Sequence, residues 1–359
     1  MKTGKTLVEL ATEIERRANA KSDLVASTKN IFMGDAAELH IGADRHFAIN
    51  GIAHDQIGQH CDIPAKYYDK MLANDRTLLA NNVNTWFAKY PAARMVRTLD
   101  GTARAFLSDK YRPLENEDLA MAVLPVLGDL GLEVMSSEIT DRRLYIKAVD
   151  KKVVRELAKT GARFGDGGHT IVRVASPAIT ISNSEVGSGA LSVQGGVYDG
   201  FCSNLAWFGE RSMKKAHLGG KHEIVGEDLY ALLSDETRRK TDTALWSQVR
   251  DVVRAIFDHA KFNALVDKIE GSAADKIEGD VVQTVNLASK RLGLNEHEGA
   301  GVLRHLIEGG DLSRLGLYNA VTRMSADVES YDRASDLERV GAQVIELSKA
   351  EWRELALAA

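Results

Sequence analysis

The hydrophobic positions of the first 90 residues recur at helical spacing. Leu7, Leu10, Ala11 and Ile14 fall on one face of a helix, which predicts an amphipathic helix over residues 5–27. Residues 52–90 show similar spacing and predict further helices. We therefore expect the first 90 residues to be helical.

Between residues 91 and 225 the pattern changes to alternation, which is typical of strands. Apolar and polar residues alternate over 95–106 around Asp100-Gly101, a dipeptide that favours a tight hairpin turn. Asn116 is predicted to cap a helix that runs to about Leu130. A second hairpin is predicted over 132–149, a helix over 151–161, and short strands over 170–174, 178–182 and 190–193.

From residue 226 onward the pattern is helical almost throughout. No proline follows Pro177, and because proline interrupts helices its absence favours long ones. Gly293 and Gly309-Gly310 are predicted helix ends. One core-facing apolar stripe consists of Trp246, Val249, Val252, Val253 and Ile256.

These patterns predict an α+β fold in three parts. We expect a helical N-terminal region with a candidate helix-turn-helix over residues 1–90. An α+β core with a mixed or antiparallel sheet, helices and basic hairpins is expected over 91–225, and an acidic C-terminal helical bundle over 226–359.

Composition narrows the class of protein. With 44% hydrophobic and 27% charged residues, the 359-residue chain has the composition of a folded protein and not of a disordered one. No basic and apolar leader opens the chain, and no apolar run approaches the ~18 residues of a membrane span. We therefore expect a cytoplasmic protein with no membrane partner.

Charge is divided unevenly along the chain. Residues 1–225 carry 29 Lys and Arg against 27 Asp and Glu, whereas residues 226–359 carry 17 against 24. The acidic excess lies in the last third, so the net charge of −5 argues only weakly against an anionic partner for the rest.

Sequence motifs for catalysis and for cofactor binding are absent. The chain has no CxxC pair, HExxH, Walker A, dinucleotide fingerprint or GxSxG. We therefore predict no catalytic residue, no metal and no cofactor. An enzyme stays open as an alternative, because carboxylates from distant positions can converge in a fold.

Cations interleaved with aromatic residues predict a surface for single-stranded nucleic acid. Between residues 94 and 112 the chain has five cations and two anions, with two aromatic residues among them. On a hairpin the cations would contact phosphates and the rings would stack on bases. The predicted residues, including two further cation groups, are Arg94, Arg97, Arg104, Phe106, Lys110, Tyr111, Arg112, Arg142, Arg143, Lys214, Lys215 and Lys221. The alternative is a hairpin with a solvated charged face and its aromatic residues in the core.

A polar loop rich in glycine forms a second candidate site. Asn183, Ser184 and Glu185 precede Gly187 and Gly189, and the backbone N–H groups of such a loop can hold an anion. Glu185 does not suit a phosphate site, so it would instead hold an arginine, or bind a metal together with Asn183. The alternative is a glycine-rich bulge between two strands.

Residues 56–72 have the spacing of a helix-turn-helix motif. The second helix would present Lys66, Tyr67 and Lys70 to DNA, although Asp62 stands where the turn usually has glycine. Two packed helices with no role in DNA binding explain the same pattern. The predicted core positions are Ile57, Cys61, Ile63, Tyr68 and Leu72.

Three segments resemble marker segments of a phage and plasmid protein family catalogued as domain of unknown function 932. They are RAFLSDKYRPLEN, ITISNSEVGSGALSV followed by FCSN, and LGLYNAVTRMS, and the resemblance covers roughly residues 45–340. The run Cys202-Ser203-Asn204-Leu205 departs from the family's Cys-Thr-Asn-Gly. The resemblance implies a mobile-element protein without an assigned activity. Its outline is similar to that of phage single-strand annealing proteins, which is an analogy of architecture.

The sequence thus predicts a DNA-metabolism protein that binds single-stranded DNA, acts in strand annealing or recombination and forms a homo-oligomer. Three alternatives remain open. The first is a duplex-DNA regulator acting through residues 56–72, and the second is a protein-interaction or anti-defence factor acting through the acidic helical region. The third is an enzyme built on Glu185 and Asn183.

Overall fold

The computed structural model describes residues 1–157, 174–200, 204–215, 235–257 and 259–358. These residues form two β-sheets with helices packed on them, followed by a run of helices, so the predicted α+β class is confirmed. None of the described helices combines the length and the apolar character required to cross a bilayer.

The first sheet and its helices occupy the N-terminal part of the chain. The helices are α1 (Leu7–Ala20), α2 (Gly51–His60), α3 (Ala65–Asn74) and α4 (Arg76–Lys89). The strands are β1 (Lys21–Ser27), β2 (Ile31–Met33), β3 (Leu39–Ile41), β4 (Arg45–Ile49), β5 (Ala93–Leu99) and β6 (Thr102–Ser108). They are ordered β1-β5-β6-β4-β3-β2, with β4 and β6 parallel and the other pairs antiparallel.

Two predictions for this part have different outcomes. The expected helical character of residues 1–90 is wrong for residues 21–49, where β1 to β4 lie. The hairpin around Asp100-Gly101 is confirmed, because these residues join β5 to β6 with φ values of 50° and 74°. Positive φ at both central residues is what a tight hairpin turn requires. The predicted boundary at residue 90 falls within this sheet, since β5 pairs with β1 and β6 pairs with β4.

The second sheet is antiparallel, in the order β12-β11-β10-β8-β7, with β9 paired to β10. Its elements are α5 (Asn116–Asp129), β7 (Glu133–Ile139), β8 (Leu144–Val149), β9 (Arg155–Glu156), β10 (Val174–Asn183), β11 (Leu191–Asp199) and β12 (Asn204–Lys215). The helix near Asn116, the second hairpin and the strands at 178–182 and 190–193 are confirmed. The predicted cap is wrong by one residue, because Glu115 is the N-cap and Asn116 is the first residue of the helix. The helix predicted over 151–161 is wrong for residues 151–157, which form a turn and β9, and the strand predicted over 170–174 lies mostly outside the described residues.

The C-terminal part is helical, as predicted. Its helices are α6 (Asp235–Ile256), α7 (His259–Gly271), α8 (Val281–Leu292), α9 (Glu296–Gly309), α10 (Arg314–Met324), α11 (Tyr331–Glu346) and α12 (Lys349–Ala356). Gly293 and Gly310 end two of them in the left-handed conformation, each with φ of 67°. Val249, Val253 and Ile256 of the predicted stripe are buried.

The second sheet lies between two layers of helices. On one face, Ile146 and Ile179 pack with Leu10 of α1, Val123 of α5 and Val249 of α6. Adjacent strand residues point to opposite faces, so Lys147 lies on the other face. There its Nζ meets Glu338 Oε2 of α11 at 2.8 Å, with both side chains fully buried.

Candidate nucleic-acid interface

The structure places five of the twelve predicted nucleic-acid residues inside the protein. Arg97 is 0% exposed, and Arg104, Phe106, Tyr111 and Arg112 are also buried. The expectation of an exposed platform formed by these residues is therefore wrong. Each of these five residues contacts another residue of the fold instead. For example, Phe106 stacks on Phe87, and Arg112 forms an ion pair with Asp242.

Arg97 is the most enclosed of these cations and joins three separate segments. Its Nε donates to Asp23 at 2.9 Å, its Nη2 to Glu115 at 2.6 Å, and its Nη1 to the backbone oxygen of Glu185 at 2.8 Å. Burial is the largest single influence on the pKa of Glu115 and raises it, but the Arg97 charge together with side-chain hydrogen bonds and the Lys21 charge outweighs burial and lowers the pKa to about 2. Lys21 also pairs with Glu115, at 2.7 Å.

The predicted polar loop contacts the same cations. Arg104 Nη1 donates to Glu185 Oε2 at 2.9 Å, and the backbone N–H of Asn116 donates to Glu185 Oε1 at 2.8 Å. The Glu185 carboxylate thus caps the N-terminus of α5, where the side chain of the N-cap residue Glu115 makes no capping bond. We call Arg97, Arg104, Glu115, Asn116 and Glu185 the Glu185 network.

Of the alternatives for this loop, the one in which Glu185 holds an arginine is confirmed. The Asn183 amide nitrogen donates to Leu114 O and Asn116 Oδ1 at 2.7 and 2.9 Å, and the Tyr111 hydroxyl donates to Ser184 O at 3.0 Å. In the described part of the chain, no group of three or more His, Cys, Asp or Glu side chains is arranged to hold a metal ion.

The remaining predicted cations belong to several different segments of the chain. Lys110 and Arg142 are exposed, and Arg143 Nε donates to Ser188 O at 3.1 Å. Lys214 and Lys215 belong to β12, and Lys221 lies outside the described residues.

A groove of about 610 Å³ opens beside the α2–α3 turn and the adjoining face of α4. Three aromatic rings line it, those of Tyr67, Trp86 and Tyr90. Its polar lining residues include His60, Asp62 and Asn82. We call it the aromatic groove.

The aromatic groove holds two rings against each other at the surface. Trp86 and Tyr90 lie four residues apart at the end of α4, a spacing that places side chains together on one helix face. Their ring centroids are 5.9 Å apart with 9° between the planes, and Lys89 Nζ lies 5.5 Å from the Trp86 ring centroid and 5.7 Å from that of Tyr90. Tyr90 is 62% exposed and Tyr67 is 46% exposed, so flat apolar surface faces solvent beside a cation.

The α2–α3 turn fixes the other wall of the groove. Asp62 adopts φ of 58°, which lets the Ile63 N–H donate to Gly58 O at 3.0 Å and end α2. A Cβ on Gly58 would lie 3.0 Å from the Tyr68 ring, so glycine permits the close contact between α2 and α3. Pro64, the N-cap of α3, supplies no side-chain hydrogen bond, which leaves the first N–H groups of the helix without a side-chain cap.

The two helices and the turn of the predicted helix-turn-helix are present. Of its predicted core positions, Ile57, Cys61, Ile63 and Tyr68 are buried and Leu72 is partly buried. Lys66, Tyr67 and Lys70 are exposed on α3, as the motif requires of residues that meet a partner. Recognition of duplex DNA by this motif stays a prediction.

In the lining of the aromatic groove, His60 is hydrogen-bonded to one of the predicted cations. Arg94 donates a hydrogen bond to His60 Nδ1, and its guanidinium lies 5.7 Å from the Phe106 ring centroid. Burial, together with the Arg94 charge, lowers the pKa of His60 to about 4, so the ring is neutral at pH 7. Burial also raises the pKa of the Cys61 thiol to about 12, which keeps Cys61 in its weakly nucleophilic thiol form.

The helix-turn-helix pattern identified Lys66, Tyr67 and Lys70, whereas Trp86 and Tyr90 were not predicted. Their signal was present, since two aromatic residues at i and i+4 surround Lys89 just before Pro91. That spacing alone does not tell which helix face is exposed. In the structure Val83 and Phe87 of α4 pack into the core, and this packing determines which face of the helix borders the groove.

Comparison with known proteins adds no relative. A scan against protein-family models, a search of curated proteins and a search of solved structures each find no match. The resemblance to the domain of unknown function 932 family therefore stays a prediction.

Proposed function

We propose that this protein binds single-stranded nucleic acid, specifically single-stranded DNA, in the aromatic groove. The observation that carries the proposal is the pair of stacked rings formed by half-buried Trp86 and exposed Tyr90, which shares one groove with exposed Tyr67. Aromatic rings of this kind take unpaired bases, and each stacked base contributes about 1–3 kcal/mol.

Cations around the groove supply the second part of the interaction. Lys66 and Lys70 lie one turn apart on α3, and Lys89 lies beside the Trp86 and Tyr90 rings. In the portion of the chain that the structure covers, none of these lysines forms a salt bridge, so their charge is left for phosphates. The N-terminus of α3, which starts in the groove wall, adds N–H donors suited to an anion.

The exposed rings favour a single strand over a duplex. A side chain can stack fully on a base only when the face of that base is free, and in a duplex the neighbouring bases cover it. Binding to duplex DNA through Lys66, Tyr67 and Lys70 of α3 is the second candidate, supported by their exposure on the second helix of the motif.

The wider role follows from the sequence resemblance and belongs to the same proposal. We place the protein in the DNA metabolism of a mobile element, in the cytoplasm, acting on single strands during annealing or recombination as a homo-oligomer. The aromatic groove supports the single-strand step of that role.

The test is an anisotropy titration at low salt with a labelled oligo(dT) of about 16 nucleotides. We expect wild-type protein to bind it, and the Tyr67→Ser/Tyr90→Ser variant to bind about tenfold or more weakly because two stacking rings are lost. Phe32→Ser is the matched control, since Phe32 is 46% exposed like Tyr67 but lies on β2 outside the groove.

Three outcomes decide the proposal. A flat titration with wild-type protein refutes it. Equal affinity of the double variant and the Phe32→Ser control refutes the groove as the site. A marked preference for duplex DNA over oligo(dT), lost in Lys66→Ala/Lys70→Ala, supports the duplex candidate in its place.

A further inference from the structure

We infer that the aromatic groove selects guanine, with Asp62 and His60 recognising the Watson–Crick edge of the base. This inference rests on the proposed function, since it concerns which base occupies the same groove. Neither base stacking nor phosphate binding accounts for one side chain of the groove lining, that of Asp62.

Asp62 is an exposed carboxylate in the lining of a groove that we propose binds a polyanion. A carboxylate repels phosphates, so Asp62 weakens backbone binding unless it meets something other than phosphate. The base is the part of a nucleotide that carries hydrogen-bond donors. A carboxylate, which only accepts hydrogen bonds, is suited to a base edge that presents donors.

The backbone holds Asp62 in place. Its φ of 58° lies in the left-handed region, and its N–H donates to Gln59 O at 3.3 Å. The flanking residues Cys61 and Ile63 are 7% and 9% exposed, so buried side chains on both sides anchor the turn. Glycine adopts this conformation most readily, yet the position carries a carboxylate, and aspartate is among the residues that tolerate it.

The other polar side chains of the lining add a complementary pattern. Arg94 donates to His60 Nδ1, so the neutral ring carries its proton on Nε2 and is a donor there. Asn82 Nδ2 donates to Leu78 O at 3.1 Å and to Met71 Sδ at 3.6 Å, which leaves its carbonyl oxygen as the group it offers a ligand. The lining therefore presents acceptors at Asp62 and Asn82 and a donor at His60.

Guanine is the base whose edge matches this pattern. Its N1–H and N2–H₂ groups are adjacent donors that can both bond one carboxylate, and its O6 accepts from a donor such as His60 Nε2. Adenine and cytosine each place one amino donor next to an acceptor nitrogen. Thymine places its single N–H between two carbonyl oxygens, which a carboxylate repels.

The experiment measures base preference with the full chain. Labelled oligo(dT) strands of about 16 nucleotides carry one central guanine, hypoxanthine, adenine or cytosine, and their affinities are compared by anisotropy. We expect guanine to bind about tenfold more tightly than adenine, as one bidentate contact discriminates between bases by roughly 5- to 150-fold. Hypoxanthine, which lacks the N2 amino group, should fall between them.

Two variants assign the preference to Asp62. Asp62→Asn keeps a side chain that tolerates positive φ, and Asp62→Gly removes the side chain without strain. Both should lose the guanine preference, keep or increase affinity for oligo(dT), and melt no lower than wild type. Asp69→Asn, at an exposed α3 carboxylate outside the groove lining, should keep the preference.

The two proposals fail in different ways. Equal affinity for all four central bases, with binding to oligo(dT) intact, overturns the guanine inference and leaves the proposed function standing. A guanine preference that survives Asp62→Gly overturns the role of Asp62. Absence of binding to every strand overturns the proposed function and, with it, this inference.

Discussion

The Glu185 network and the aromatic groove each contain several cations, yet only the network pairs its cations with carboxylates. Arg97 meets Asp23 and Glu115, and Arg104 meets Glu185. At the groove, Lys66, Lys70 and Lys89 make no ion pair with any residue that the structure describes.

The difference arises from partners that are distant in the chain. Asp23 lies 74 residues from Arg97, and Glu185 lies 81 residues from Arg104. An arginine in the interior needs such a partner, because desolvation makes an isolated buried charge very costly. The network cations therefore join the β5–β6 hairpin, α5 and the β10–β11 loop to one another, while the groove cations keep their charge for a partner outside the chain.

The largest expected effect is on the network. Glu185→Gln should destabilise the fold by about 3–5 kcal/mol, because Arg104 stays buried without its counter-charge. Urea denaturation measures the free energy of unfolding, and Glu15→Gln, at an exposed carboxylate on α1, is the control expected to change it by less than about 0.5 kcal/mol. If Glu185→Gln changes the free energy of unfolding no more than the control does, the buried Arg104 does not depend on the Glu185 charge.

A double variant makes the test specific to the ion pair. Arg104→Met/Glu185→Gln should cost less than the sum of the two single changes, since no unpaired charge then remains. In each variant that folds, affinity for oligo(dT) should equal that of wild type. Loss of binding in a folded network variant would mean that the two regions do not have separate roles.

Local patterns predicted much of the fold and little of either site. Asp100-Gly101 identified a hairpin because the turn conformation depends on those two residues alone. Strands β2 and β3 have three residues each, too few to show an alternating pattern. Arg97 is buried because it bonds Asp23, Glu115 and Glu185, and no local sequence pattern connects these residues.

Acid should weaken the two regions in different pH ranges. Burial lowers the pKa of His60 to about 4, below its value of about 6.5 in an unfolded chain, so the unfolded state binds more protons between these values. The contribution of the neutral His60 ring to the free energy of unfolding is therefore fully present above about pH 6.5. It falls by about 1–3 kcal/mol as the pH drops towards 4. His54 on the same helix, with its pKa lowered to about 4 by burial, adds to this loss.

The network responds at lower pH. With the pKa of Glu115 lowered to about 2, its contribution is complete above about pH 4.5 and is lost as the pH falls towards 2. Denaturation at a series of pH values measures both ranges. His60→Gln should reduce the dependence between pH 6.5 and 4 and leave the lower range unchanged, whereas an unaltered upper range would refute the role of His60.

The smallest expected effect is on the salt dependence of oligo(dT) affinity, which should differ between the lysines around the groove and the exposed cations predicted from the sequence. On a single strand, each lysine that neutralises a phosphate contributes about 0.7 to the slope of log affinity against log salt concentration. Lys66→Gln and Lys89→Gln should therefore each lower the slope for oligo(dT) by about 0.7. Lys110→Gln and Arg142→Gln are matched controls, since both side chains are exposed but belong to neither α3 nor α4, and they should leave the slope unchanged. A slope that falls in Lys110→Gln and Arg142→Gln but not in Lys66→Gln and Lys89→Gln would assign DNA binding to the predicted hairpins and not to the groove. The salt dependence can decide this because it reports how many cations contact phosphates, wherever those cations lie in the fold.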